Sequence, residues 1–395
     1  MTQRSSAQSR SNTASDVDPP HHPDWRGARW RSDLRRKLLK WFSTHAREMP
    51  WRSDPQPYRV WVSEIMLQQT QVATVLPYFE RWMESFPTIA DLATADEANL
   101  MRHWEGLGYY RRVRSMHAAA KMIMLHHDGV FPLDYDDVLS LPGVGRYTAG
   151  AVLSISNDAK LPVLEGNTQR VYSRWIGLRV PPADKAANAL LWEFAAAMLP
   201  RQHSGQFNQA AMELGALVCT PKNPDCDNCP VLAHCKAAEL GLQAEIPGKI
   251  KRVVYEDRTE FALLLSRRQR GVTTYLARPL PDGGRWAGLW DFPRPTEVAT
   301  DSVDAAAQWL SSQIDADVQP GVRLKTLRHA VTKYRISLHV HQASLSKPDA
   351  VGPGQISAPW RWVSLQELDA LPMSVTGRKI VKFLATTSQP ILPLN

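Results

Sequence analysis

All four cysteines of this 395-residue chain, Cys219, Cys226, Cys229 and Cys235, lie in one short window. A disulfide-stapled secreted protein distributes its cysteines along the chain, so this crowding favours a ligand set for a metal or a cluster. The Cys-x6-Cys-x2-Cys-x5-Cys gaps are uneven, whereas zinc sites usually pair their cysteines in two short loops. We therefore predict a [4Fe–4S] cluster held by this loop, with zinc and free thiols as the alternatives.

Length and charge set the other outer limits. A chain of 395 residues exceeds what one hydrophobic core usually organises, so at least two domains are expected. The net charge of +8 favours a polyanionic partner, either nucleic acid or an anionic membrane surface. No run approaches eighteen apolar residues, which excludes a membrane-spanning helix at the level of sequence.

The pattern of apolar residues changes along the chain. Residues 1–30 read as a disordered tail and residues 31–245 as an all-α domain, because apolar residues recur there at three- and four-residue spacing. A basic, Pro/Gly-marked linker follows at 246–257, then an α+β domain at 258–386 and a tail at 387–395. Within the α+β domain we predict strands at 259–265, 273–277, 335–340 and 360–363 and helices at 303–314 and 375–384.

Residues 141–150 have the sequence Leu-Pro-Gly-Val-Gly-Arg-Tyr-Thr-Ala-Gly. Gly143 and Gly145 allow a tight turn between two helices and leave backbone N–H groups bare at a helix N-terminus, where they can bind a DNA phosphate. The alternative is an ordinary interhelical turn without a ligand.

This hairpin, followed by the cysteine window, resembles the endonuclease III superfamily of DNA glycosylases. Four further motifs resemble the MutY-type adenine DNA glycosylases more specifically. They are Met-Pro-Trp-Arg at 49–52, Trp-Val-Ser-Glu-Ile-Met-Leu-Gln-Gln-Thr-Gln-Val at 61–72, Gly-Leu-Gly-Tyr-Tyr-Arg at 106–111 and Phe-Asn-Gln-Ala at 207–210. The resemblance implies a helix-hairpin-helix core with an iron-sulfur loop, followed by a Nudix-like domain.

Two carboxylates are the candidate catalytic groups. Glu64 lies beside Trp61, Ile65 and Leu67, so partial desolvation should raise its pKa and keep a proton available near neutrality. The resemblance implies that Glu64 protonates adenine at N7 and helps to position the attacking water. Glu165 stands where the family has aspartate, at the position that stabilises an oxocarbenium-like cation. The extra methylene is either compensated by the local backbone or reduces activity.

The resemblance also suggests roles for five further residues. Tyr147 occupies the place of the lysine that forms a Schiff base in bifunctional relatives, so we expect base removal without strand cleavage and a hydrogen bond from the phenol to the carboxylates. Gln69 and Tyr109 match residues that wedge into the DNA stack when the base flips out. Arg52 and Asn167 match residues near the flipped adenine and the catalytic water.

The C-terminal half carries Gly-Leu-Trp-Asp-Phe-Pro at 288–293, which resembles the Nudix-like domain that recognises 8-oxoguanine in these enzymes. We find no acidic Nudix catalytic box. Residues 327–334 align with the hairpin that reads the lesion, and Val331, Thr332 and Lys333 replace the family's Phe-Ser-His. Thr332 keeps the hydroxyl group, whereas the aromatic and imidazole groups are lost.

The sequence therefore predicts a monomeric, cytoplasmic adenine DNA glycosylase, associated with the nucleoid if the source is bacterial. Its expected partner is double-stranded DNA with an 8-oxoguanine:adenine or guanine:adenine mispair, bound with a steep dependence on salt. Two alternatives stay open: a monofunctional glycosylase for another mismatch such as thymine opposite guanine, and a catalytically weak lesion-binding homologue.

Overall fold

The computed structural model describes residues 23–249, 254–269, 271–296, 300–347 and 356–387. By clustering of contacts the chain divides into two compact units. The first unit comprises residues 1–72 and 122–251, and the second unit comprises residues 73–121 and 252–395. Segment 73–121 lies inside the predicted helical domain 31–245, yet it clusters with the C-terminal part of the chain. None of the helices in the described ranges combines the length and apolar character that crossing a bilayer requires.

Helices make up the described chain as far as Glu239, and strands begin at Glu256. The α-helices are α1 Ala28–His45, α2 Pro50–Ser53, α3 Pro57–Leu67, α4 Val72–Ser85, α5 Ile89–Thr94, α6 Glu97–His103, α7 Arg111–His126, α8 Tyr135–Ser140, α9 Arg146–Asn157, α10 Gly166–Ile176, α11 Lys185–Met198, α12 Ser204–Leu217, α13 Lys236–Glu239, α14 Val303–Ile314, α15 Leu365–Ala370 and α16 Val375–Thr387. The strands are β1 Glu256–Gln269, β2 Val272–Pro279, β3 Trp290–Asp291, β4 Val318–Val331, β5 Tyr334–Leu345 and β6 Arg361–Ser364.

Helical structure lies inside the predicted N-terminal tail, residues 1–30. Residues 1–22 lie outside the described residues, but a 3₁₀-helix at Pro23–Arg26 and the start of α1 occupy the rest of the predicted range. Trp25 is buried and its ring lies 5.3 Å from that of Phe194, centroid to centroid. The prediction was wrong for 23–30 because Trp25 packs against an apolar partner that lies more than 160 residues later in the sequence. At the other end, residues 388–395 of the predicted tail are outside the described residues.

Helix α12 lies at the centre of the first unit and approaches α9 and α10 closely. A Cβ atom built on Gly205 would stand 2.1 Å from the carbonyl oxygen of Ser154, and one built on Gly215 would stand 2.7 Å from Cβ of Asn167. No side chain fits at either position, so glycine sets the distance between these helices. At Gly215, α12 packs directly against the start of α10.

The strands of the second unit form one mixed sheet in the order β3-β2-β1-β5-β4, with β6 paired to β2. Strand β1 runs parallel to β5 and antiparallel to β2, and β4 and β5 form an antiparallel hairpin. Side chains of β1 alternate between two apolar clusters. Phe261, Leu263 and Leu265 face a cluster that includes residues of α14, and Ala262 and Leu264 face one that includes residues of α15 and α16.

The α+β prediction for this half is confirmed, and the predicted helix at 303–314 has the observed bounds of α14. Each predicted strand lies within an observed strand except that 360–363 begins one residue early. Strand β4 was not predicted as a strand over its length. It contains Pro320 and Gly321, which are turn signals, and its register with β5 shifts near Arg323. The predicted linker 246–257 also extends two residues into β1, and its residues 250–253 are outside the described residues.

Candidate active site

The predicted hairpin lies between α8 and α9. Gly143 has a φ of +80°, which glycine adopts without strain, and Gly145 is the N-cap of α9. Both glycines are exposed, and Gly145 provides no side chain to cap the helix. The first N–H groups of α9 are therefore available to an anion, as a contact to a DNA phosphate would require.

Glu64 lies on α3, packed against α9, and is 3% exposed. The Tyr147 hydroxyl, in the first turn of α9, donates a hydrogen bond of 2.5 Å to Oε2 of Glu64. Burial raises the pKa of Glu64 to about 7, and the negative charge of Glu165 acts in the same direction. The Tyr147 hydrogen bond and the Arg52 guanidinium pull that pKa down without cancelling the effect of burial. This carboxyl group can hold a proton at neutral pH.

Glu165 is the N-cap of α10. Its Oε2 accepts a hydrogen bond from the N–H of Asn167 at 2.8 Å, and its Oε1 accepts one from the N–H of Thr168 at 2.9 Å. The Thr168 hydroxyl accepts a hydrogen bond from the Glu165 N–H at 2.8 Å, which completes a capping box. Burial raises the pKa of Glu165, and the two backbone hydrogen bonds oppose that rise. The longer side chain thus folds back onto the helix terminus.

Arg52, on α2, is held by a buried acid that the sequence reasoning missed. Its Nη2 donates to Oε2 of Glu213 at 2.9 Å, its Nε to Oε1 of Gln209 at 3.1 Å and its Nη1 to the Arg47 carbonyl at 3.1 Å. Arg47 also bonds Glu213, through Nε and Nη2, both at 2.8 Å. Burial pulls the pKa of Glu213 upward, but the bonds from Arg47 and Arg52 outweigh it and hold the value at about 2.

The only sequence signal for Glu213 was an acid inside an otherwise apolar helix, between Met212 and Leu214. Such an acid needs a buried partner.

Asn167 is tied to the backbone of the cysteine loop through Arg170, which sequence reasoning also missed. Arg170 Nη2 donates to Oδ1 of Asn167 at 2.9 Å and to the Gly215 carbonyl at 2.7 Å. Its Nε donates to the Cys219 carbonyl at 2.7 Å. Asn167 therefore has a fixed orientation beside Glu165.

Cys219 and Cys226 lie close enough to Cys229 and Cys235 to affect the ionisation of these two thiols. Burial first, and the neighbouring thiols in addition, raise the pKa of Cys229 to about 12 and that of Cys235 to about 11. Arg174 is 2% exposed and donates to Sγ of Cys219 at 3.2 Å. The thiols of Cys229 and Cys235 therefore resist ionisation, and a bound cationic centre would reverse that preference. Among the described residues, no three His, Cys, Asp or Glu side chains are arranged to hold a single metal ion.

The other predicted DNA contacts lie at exposed turns. Gln69 follows α3 in a turn and has a φ of +59°. Tyr109 has a φ of +48° and is 60% exposed, and Thr332 is at the exposed tip of the β4–β5 hairpin with a φ of +51°. Lys333, beside Thr332, is paired with Glu256 at 2.6 Å. The structure thus gathers Glu64, Tyr147, Glu165, Asn167 and Arg52 in the first unit, whereas Tyr109 and Thr332 belong to the second unit.

Comparisons with known proteins identify families and relatives that this chain resembles. A family model described as HhH-GPD superfamily base excision DNA repair protein matches residues 62–197, and a NUDIX domain model matches residues 262–383. The adenine DNA glycosylase of Mus musculus is 32% identical over 402 residues, which cover 88% of this chain and 77% of the relative. That of Schizosaccharomyces pombe is 30% identical over 410 residues, which cover 88% of each chain.

The adenine DNA glycosylase of Buchnera aphidicola subsp. Schizaphis graminum is 36% identical over 266 residues, which cover 67% of this chain and 75% of the relative. Similarity at this level over most of both chains establishes the family. This chain belongs to the adenine DNA glycosylases of base excision repair, built from a helix-hairpin-helix glycosylase core followed by a Nudix-like domain.

Proposed function

We propose that this protein hydrolyses the N-glycosidic bond of adenine mispaired with 8-oxoguanine or guanine and leaves the DNA strand uncut. The observation that carries the proposal is the buried Glu64 carboxyl, with a pKa of about 7 and a hydrogen bond from Tyr147. Adenine leaves its sugar readily only when a ring nitrogen is protonated. A group that holds a proton at neutral pH and lies out of bulk water suits this step.

The proton is delivered from Oε1 of Glu64. Tyr147 donates to Oε2, so in the protonated acid Oε2 is the accepting oxygen and the O–H group is on Oε1. After transfer to N7, the Glu64 carboxylate can accept a proton from the attacking water. Tyr147 keeps the carboxyl in one orientation through both steps.

Glu165 stabilises the positive charge that develops on the sugar. Its two oxygens are bound by backbone N–H groups of α10, so the carboxylate is held in place before the base leaves. The same bonds explain how glutamate can serve where the family has aspartate. The extra methylene is absorbed by folding the side chain onto the helix terminus.

A phenol at position 147 cannot form an imine with the sugar. A Schiff base requires a primary amine, which Tyr147 lacks. The proposed product is therefore an abasic site in an intact strand. Arg52 and Asn167, both fixed by neighbouring side chains, are proposed to lie against the flipped adenine and the water.

We further propose that the four cysteines hold a [4Fe–4S] cluster. Their crowding in one partly exposed loop and the Arg174 bond to Cys219 fit four thiolates around a cationic centre. When bound, the cluster would shape the loop that carries it and would not meet the substrate. DNA contacts are proposed for Gly143, Gly145 and Gln69 in the first unit and for Tyr109 in the second, with Thr332 reading the lesion.

The function is tested with purified protein and end-labelled duplexes that contain adenine opposite 8-oxoguanine, adenine opposite guanine or thymine opposite guanine. Strand breaks are measured before and after alkali. We expect breaks only after alkali, and only on the adenine strands. Breaks without alkali would contradict the monofunctional mechanism, and release of thymine would indicate a different mismatch. Binding to the lesion duplex without any release would favour a lesion-binding homologue.

Glu165 variants test the second carboxylate. Changing Glu165→Gln is expected to slow base release in single turnover by about 10²-fold, because the charge that faces the sugar cation is lost. Changing Glu165→Asp keeps the charge and a preferred N-cap residue, so its rate should stay within about tenfold of the wild type. Equal rates for Glu165→Gln and the unmodified protein would remove Glu165 from the mechanism.

The cluster is tested by changing Cys229→Ser. We expect the variant to lose its visible absorbance and bound iron, and its free energy of unfolding to fall by more than about 3 kcal/mol. Asp227→Ser, an exposed change in the same loop, is the matched control and should retain the absorbance, the bound iron and the free energy of unfolding. Zinc in place of iron and sulfide in the purified protein would contradict the cluster.

A further inference from the structure

Residues 105–110 form a tight turn between α6 and α7 that presents Tyr109. Tyr109 is 60% exposed, while Leu107 and Tyr110 on either side are buried. The turn contains three positive φ angles, +102° at Gly106, +69° at Gly108 and +48° at Tyr109. A non-glycine residue with positive φ has to be held by its surroundings. The conformation that exposes Tyr109 thus depends on contacts made by the rest of the turn.

The neighbouring helices supply part of those contacts. Trp104 Nε1 donates to the Gly108 carbonyl at 3.1 Å, and Arg112 Nη2 donates to the Leu107 carbonyl at 3.1 Å. The Tyr78 hydroxyl donates to the Glu105 carbonyl at 2.8 Å. These bonds fix the backbone of the turn from the helical side.

The C-terminal part of the chain supplies a second set of contacts, through Glu105. Arg378, in the first turn of α16, donates from Nε to Oε1 of Glu105 at 2.6 Å and from Nη2 to Oε2 at 2.9 Å. The Met373 N–H adds a bond of 3.3 Å to Oε2. Both charged side chains are largely buried, 14% exposed for Arg378 and 16% for Glu105. Two parallel bonds of this kind define orientation as well as distance.

Arg378 is itself anchored in the Nudix-like part of the chain. Its Nη1 donates to the carbonyl oxygens of Leu368 and Asp369 and to Oδ1 of Asp369, at 3.0–3.2 Å. Its Nη2 also donates to the Leu371 carbonyl at 2.7 Å. The guanidinium therefore cannot follow Glu105 if the turn moves. It acts as a fixed point for the turn.

We infer that Glu105 and Arg378 are positioning residues through which the C-terminal part of the chain holds the Tyr109 turn in its DNA-probing conformation. The inference rests on the proposed function in one respect, the contact of Tyr109 with the base stack of lesion DNA. It also assigns the C-terminal part a task besides reading 8-oxoguanine. This part stiffens a turn that belongs, by sequence, to the glycosylase core.

The test compares full-length Glu105→Gln with two other variants. Glu105→Gln keeps the shape of the side chain and removes the charge that pairs with Arg378. Arg378→Lys keeps the positive charge but loses the two parallel bonds. Asp257→Asn is the matched control, because it makes the same chemical change against the bidentate Arg335, in an exposed pair at the start of β1 and β5 in the same unit.

Two quantities are measured without turnover. One is hydrogen exchange at the amides of residues 106–110. The other is the ratio of Kd for an undamaged duplex to Kd for an 8-oxoguanine:adenine duplex whose adenosine carries a 2′-fluorine, which prevents base release. We expect faster exchange in Glu105→Gln and a lesion preference lowered by about tenfold, the size of one lost base–aromatic stacking contact. Arg378→Lys should lie between Glu105→Gln and the wild type, and Asp257→Asn should match the wild type.

The inference would be overturned if the amides of residues 106–110 exchange hydrogen in Glu105→Gln at the same rate as in the wild type. So would a lesion preference that Glu105→Gln leaves unchanged while Tyr109→Ala lowers it. If Tyr109→Ala also leaves the preference unchanged, the DNA role of the turn is wrong and the inference falls with it. Failure of the wild-type protein to release adenine would contradict the proposed function alone, because neither measurement requires catalysis.

Discussion

Changing Glu64→Gln is expected to lower the single-turnover rate of adenine release by about 10²- to 10⁴-fold, the usual contribution of a general acid. Glutamine has nearly the same shape and can still accept the Tyr147 hydrogen bond, but it has no proton to give to the leaving base. Binding to the lesion duplex should stay close to that of the wild type. A variant that keeps more than a tenth of the rate would exclude Glu64 as the acid.

The same substitution should stabilise the folded protein above neutral pH. The pKa of Glu64 is raised from 4.5 to about 7 by burial, so the folded state binds this proton more tightly than the unfolded state does. Wild-type stability therefore falls as the pH rises from 4.5 to 7 and stays lower above that range. The variant lacks the ionisable group and should be about 2–3 kcal/mol more stable at pH 8, with little difference at pH 4.

Urea unfolding at the two pH values measures this effect, and Glu48→Gln is a matched control because Glu48 is exposed in the same unit. Gain of stability together with loss of activity is the sign of a group kept buried for chemistry. The rate of base release by the wild type should also fall above pH 7, as the acid form of Glu64 disappears. A flat rate from pH 6 to pH 9 would contradict this assignment.

The sequence was informative about Glu64 because its apolar neighbours are local, whereas the Tyr147 hydrogen bond, which spans 83 residues, was expected only from the family resemblance. Trp61, Ile65 and Leu67 lie within one turn of Glu64, so its desolvation follows from helical spacing. The bounds of α14 were predictable for the same reason, since an amphipathic period and a Ser302 cap mark them.

Features that depend on distant partners could not be read in this way. Glu213 is explained only by Arg47 and Arg52, about 160 residues earlier in the chain, and Trp25 only by Phe194. Likewise, nothing near Glu105 in the sequence indicates Arg378, which is 273 residues later. The resemblance identified Glu165 as a departure from the family aspartate and left open whether the backbone compensates for the extra methylene. The capping geometry of α10 shows how the longer side chain is held.

Changing Glu213→Gln is expected to lower the free energy of unfolding by about 3 kcal/mol at pH 7. Glu213 is nearly fully buried, and its pKa is about 2 in the folded state against 4.5 as its ordinary value. A depressed pKa contributes stability that is present above pH 4.5 and is lost as the pH falls through 2. The difference between variant and wild type should therefore be complete at pH 7 and shrink below pH 4. The loss of stability arises because the guanidinium groups of Arg47 and Arg52 are left without their buried charged partner.

Asp33→Asn is the control for this prediction. The pKa of Asp33 is also held at about 2, by hydrogen bonds from Lys37 and Arg36, but those partners are on the surface of α1 and are screened by water. A loss of stability as large as that of Glu213→Gln would show that burial is not the reason for the difference.

Glu213 should also affect catalysis through Arg52. The Arg52 guanidinium lowers the pKa of Glu64, and Glu213 offsets part of that positive charge. With glutamine at position 213, the charge on Arg52 is no longer balanced, so the pKa of Glu64 should fall. The alkaline limb of the rate profile should then move to lower pH in Glu213→Gln, while Asp33→Asn leaves it in place. A shift to higher pH would contradict this route, because it would mean that Arg52, without Glu213, moves away from Glu64 and no longer lowers its pKa.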